Sequence, residues 1–86
     1  MNIETVWKNI KLCEGQVFKT IRGVEYNYVV YCDYILINND MKRRITKESL
    51  KIAIAIDNPT PSKIQNENIW GPSYVYGIIT DNRIKN

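Results

Sequence analysis

Histidine is absent from this chain of 86 residues, and cysteine occurs only twice. The first absence removes the commonest general base and the commonest zinc ligand. Two cysteines cannot build a four-cysteine site. The four glycines, Gly15, Gly23, Gly71 and Gly77, stand singly, so there is no glycine-rich phosphate loop. Carboxylates occur without metal-ligand spacing. Asp33, Asp40 and Asp57 each fall at a turn or element end, where bonding to the local backbone is their ordinary role. Ser73 follows Gly71-Pro72 with no base in view to activate it, and reads instead as satisfying N–H groups at a helix start. The expectation is a non-catalytic protein that needs no cofactor and no metal.

Long apolar runs are lacking too. The run Val29-Val30-Tyr31-Cys32 stops at Asp33, far short of the ~18–20 residues of a membrane span. Glu4, Lys8 and Lys11 interrupt the N-terminal segment, unlike a signal peptide. These features predict a cytoplasmic protein without membrane contact, its cysteines reduced. Cys13 and Cys32 both read as small buried hydrophobes.

What remains is a globular composition. Hydrophobic residues make up 44% and charged residues 24%, enough apolar surface for one folded core, so residues 1–86 read as a single domain. Ile, Asn, Lys and Tyr supply 38 of the 86 residues. Their codons are AT-rich, which points to an AT-rich bacterial genome or one of its phages or mobile elements.

Residues 2–14 read as a helix. Ile3, Val6, Trp7, Ile10 and Cys13 recur with a 3.6-residue period, Asn2 stands at the capping position, and Gly15 follows the end. Trp7 is the expected anchor. The period then changes to two. A two-residue turn at Arg22-Gly23 would set Ile21 opposite Val24, Lys19 opposite Tyr26 and Val17 opposite Tyr28. A second turn at Cys32-Asp33 would set Tyr31 opposite Tyr34, Val30 opposite Ile35 and Tyr28 opposite Ile37. Opposed residues share a face. One face then holds Val17, Ile21, Val24, Tyr26, Tyr28, Val30, Ile35 and Ile37, and is the core face. The other holds Phe18, Val29, Tyr31, Tyr34 and Leu36, and is amphipathic.

Asn38-Asn39-Asp40 is a turn, and Lys42 to Ile45 can add a short fourth edge strand. Thr46 caps a second helix through about residue 56, with Glu48 in its first turn. The alternation Ile52, Ile54, Ile56 offers a strand as the rival, but the start signals favour helix. Residues 57–69 read as a loop. Gly71-Pro72 opens a last helix ending at Asp81-Asn82, although Tyr74 to Thr80 is rich in strand formers. Arg83 reads as a charge near that helix's negative end. The fold class is α+β: an N-terminal helix, a three-stranded antiparallel meander with the optional fourth strand, then two helices packed on the sheet.

The net charge is +3, which by itself says little about partners. Its distribution says more: Lys42, Arg43, Arg44, Lys47 and Lys51 lie within ten residues. A basic segment leading into a helix start is suited to nucleic-acid phosphates. Phe18, Tyr31 and Tyr34 on the amphipathic face could stack on bases or anchor a protein partner. A terminal helix covering that face is the competing expectation. Two functions follow: a small nucleic-acid-binding module, or a protein-binding factor such as a phage or mobile-element inhibitor of a host enzyme. The Ile69-Trp70-Gly71-Pro72-Ser73-Tyr74 corner reads as pinning the terminal helix to the core.

Overall fold

The computed structural model describes residues 1–85. It has the α+β architecture, with an N-terminal helix, two antiparallel sheets and helices packed behind them. Helix α1 spans Ile3–Leu12, and the Asn2 side-chain oxygen accepts from the Glu4 N–H at 2.7 Å. Val6, Trp7 and Ile10 are its buried stripe. After Gly15, whose φ of 84° only glycine adopts at low cost, strands β1 (Phe18–Lys19) and β2 (Glu25–Tyr26) form a two-stranded sheet. Strands β3 (Tyr28–Val30), β4 (Tyr34–Ile37) and β5 (Arg44–Thr46) form a three-stranded sheet in that order.

The second hairpin has the expected register. Tyr28 faces Ile37, Val29 faces Leu36 and Val30 faces Ile35, and the Tyr31 N–H donates to the Tyr34 carbonyl across the Cys32-Asp33 turn. Tyr28, Ile35, Ile37 and Ile45 enter the core together. Asn38 and Asn39, both at φ 54°, turn the chain back to β5, a conformation asparagine tolerates better than most residues.

The first hairpin differs from expectation by one residue. Phe18 pairs with Tyr26, and Lys19 pairs with Glu25. The loop has three residues, Ile21-Arg22-Gly23, closed by the Gly23 N–H on the Thr20 carbonyl and the Thr20 N–H on the Val24 carbonyl. Gly23, at φ 85°, takes the left-handed position such loops require. The slip turns Phe18 inward, where its ring centroid lies 5.3 Å from that of Tyr28. Val17, Ile21 and Val24, expected in the core, are exposed: Val17 precedes the inward Phe18 by one residue, and Ile21 and Val24 lie between the two short strands. A larger apolar side chain is buried in their place. The sheet also breaks at Asn27, so the expected single meander is two sheets.

Helix α2 (Lys47–Ile54) starts at Thr46, whose hydroxyl accepts from the Ser49 N–H. The expected loop 57–69 contains a five-residue helix, α3 (Pro61–Gln65), capped by Thr60 and held by the buried Ile64. Helix α4 (Pro72–Ile79) buries Val75, Ile78 and Ile79 and opens at Gly71 with no side-chain cap, so Ser73 does not play the part expected of it. The chain does not end its helical structure at Asp81-Asn82: helix α5 (Asn82–Lys85) follows and buries Ile84. The Asn9 side chain donates to the Ile84 carbonyl at 2.8 Å, tying α5 to α1. Cys13 is buried, whereas Cys32 is exposed on its turn. The cause is the turn itself, which places Cys32 beyond the last paired residues.

Candidate functional site

The basic segment divides. Arg43 turns toward α4: its Nη1 donates to Tyr74 Oη at 2.9 Å, and its Nε lies 3.4 Å from Asp40 Oδ2. Lys47 turns toward α1, with its Nζ 3.5 Å from Glu4 Oε1 and 5.7 Å from the centre of the Trp7 ring. Lys51 lines a cleft with Lys47, where Glu4, Asp33 and Glu48 stand as counter-charges. Lys42 and Arg44 remain exposed at the β5 end of the three-stranded sheet. The five cations therefore occupy at least three places instead of one track.

Arg44 joins the aromatic residues. In the antiparallel register Arg44 faces Leu36 and Thr46 faces Tyr34, while Val29 faces Leu36 from the other side. These residues and Tyr31 share the outer face of the sheet. The Tyr31 and Tyr34 rings stack with centroids 5.1 Å apart and planes 13° from parallel. The Arg44 guanidinium carbon lies 4.3 Å from the Tyr34 ring centre, a favourable cation–π distance. Because Tyr31 comes from the β3 side and Arg44 from the β5 side, Tyr34 is sandwiched between them. Tyr31 is 42% exposed. Leu36, assigned by the sequence to this amphipathic face, is fully buried yet stands outside the core cluster.

Phe18 does not belong to this surface. It is 1% exposed, and the Arg83 guanidinium covers its ring at 4.0 Å. Arg83, read from sequence as a helix-end charge, instead fastens the C-terminus. It meets both oxygens of Asp81 at 2.9 Å, donates to Gln16 Oε1 at 3.0 Å and to the Val17 carbonyl at 2.9 Å. The hydrogen bonds from Arg83 hold the Asp81 carboxyl below its ordinary range. Nothing in the local spacing signals this cluster, since Gln16 and Val17 lie more than sixty residues away in sequence.

A second surface lies at the Trp70 corner. The Trp70 and Tyr74 rings stack at 6.0 Å and 22°, and Trp70 is 46% exposed. Tyr74 also meets Tyr26 edge-on at 5.0 Å, and its carbonyl accepts from Tyr26 Oη. Tyr74 thus pins α4 to the core as the sequence suggests, while Trp70 stays outside. Among the described residues no group of three metal-ligating side chains comes together, and no helix is long and apolar enough to cross a membrane. Comparison of the chain with family models, curated proteins and solved structures finds no match in any of the three.

Proposed function

We propose that this protein is a small non-catalytic module that binds single-stranded nucleic acid on the outer face of its three-stranded sheet. The observation that carries this reading is the Arg44–Tyr34–Tyr31 stack on a face that stands apart from the core. An exposed ring on a sheet accepts a base of any sequence, and adjacent cations take the flanking phosphates. Tyr31 offers the free ring surface, because Tyr34 is already held between Tyr31 and Arg44. Lys42 and Arg44 supply the phosphate contacts. With so few free cations, binding is weak and sensitive to salt. The test is the affinity of short DNA and RNA single strands against a duplex of the same length over a range of salt. Preference for single strands, lost with Tyr31→Ala, supports the reading. Equal or absent binding makes the protein-binding factor the better account, since tyrosine and arginine also anchor protein interfaces.

A further inference from the structure

A groove of about 280 Å³ runs between the β1–β2 loop and the start of α4, and neither Tyr31, Tyr34 nor Arg44 lines it. Its walls are mainly apolar: Ile21, Val24, Pro72 and Tyr74 line it. Ile21 is 65% and Val24 57% exposed, so these side chains contribute little to the core. Arg22 is the only charged residue lining the groove, and among the described residues no acidic side chain pairs with it.

We infer that this groove docks an acidic, apolar peptide segment of a partner protein: bulky side chains against Ile21, Val24 and Tyr74, and a carboxylate on Arg22. Charge complementarity selects the occupant. An apolar segment alone would leave Arg22 partly desolvated without a partner, and a second copy docked through this same groove would bring its own Arg22 to the same place. Aromatic and arginine side chains at a groove are the residue types that dominate binding energy in such contacts.

The test selects a phage-displayed library of random 12-residue peptides on the whole protein. The recovered peptides are then measured by fluorescence anisotropy. The expected binders combine Asp or Glu with neighbouring Leu or Phe. Ile21→Glu weakens them at least tenfold and Arg22→Gln several-fold, while Tyr31→Ala changes nothing. Both groove positions are exposed loop residues, and matching circular-dichroism melts show that the variants fold. Recovery of no binders, binders without acidic residues, or binding indifferent to both substitutions overturns the inference. So does binding that depends on Tyr31. Single-strand binding measured on Ile21→Glu is unaffected, so the two proposals fail separately.

Discussion

The Tyr28 hydroxyl donates a 2.6 Å hydrogen bond to the carbonyl oxygen of Ile10, near the C-terminal end of α1. Tyr28 is fully buried, so the bond satisfies a helix-end carbonyl and a phenol that have no access to water. It also joins α1 to β3, an edge strand of the three-stranded sheet. Tyr28→Phe keeps the ring and removes the donor. The expected loss is about 1–2 kcal/mol of stability, read as a lower urea midpoint with an unchanged slope.

Burial pushes the Tyr26 and Tyr28 phenols well above their ordinary value of 10.0. Both are neutral in the folded chain and ionise more readily once it unfolds. Their contribution to stability is therefore fully present below pH 10 and falls as pH rises beyond it. Alkaline titration followed at 295 nm should show two tyrosines ionising together with the loss of circular-dichroism signal. Smooth ionisation of all tyrosines before unfolding would contradict the packing described.

Gly77 is where α4 meets β1. A methyl group there would stand 2.6 Å from the Lys19 carbonyl oxygen and 2.6 Å from Tyr26 Oη. Gly77→Ala raises helix propensity by about 1 kcal/mol, but the clash with backbone outweighs that gain. The variant should be destabilised by about 1–3 kcal/mol net, which a thermal melt will detect.

The Asp81–Arg83 pair predicts acid sensitivity. Because Arg83 depresses the Asp81 carboxyl below its ordinary 3.8, its stabilisation is present above that pH. It is lost as pH falls through the lowered value. Arg83→Gln removes the pair, the bond to Val17 and the cover over Phe18. It should cost about 1–2 kcal/mol near neutral pH, discounted for partial exposure. It should also flatten the acid limb of stability against pH.

Much of this architecture is legible in local signals. The Asn2 cap and the stripe Val6-Trp7-Ile10 specify α1, Thr46 specifies α2, and the alternation around Cys32-Asp33 fixes the second hairpin. The first hairpin is not legible in that way. Two-residue and three-residue loops both suit a glycine at position 23, and only the competition to bury Phe18 against Tyr26 and Tyr28 selects between them. That choice hides Phe18 and places Ile21 in the loop, so the groove beside Tyr74 could not be read from periodicity. Likewise Arg43, in the turn before β5, reaches Tyr74 and Asp40, while Arg44, the first residue of β5, lies over Tyr34. A basic run in sequence therefore became separate contacts in space.

The most direct measurement is anisotropy of a labelled 12-nucleotide DNA single strand titrated with the protein between 50 and ~200 mM salt. The account predicts salt-dependent binding. Tyr31→Ala should weaken it by about 1–3 kcal/mol, the worth of one stacked base. Arg44→Gln should reduce the salt slope by about 0.7, the worth of one single-strand phosphate. Binding that is absent at low salt, or unchanged in both variants, would contradict the proposed role of the Arg44–Tyr34–Tyr31 face.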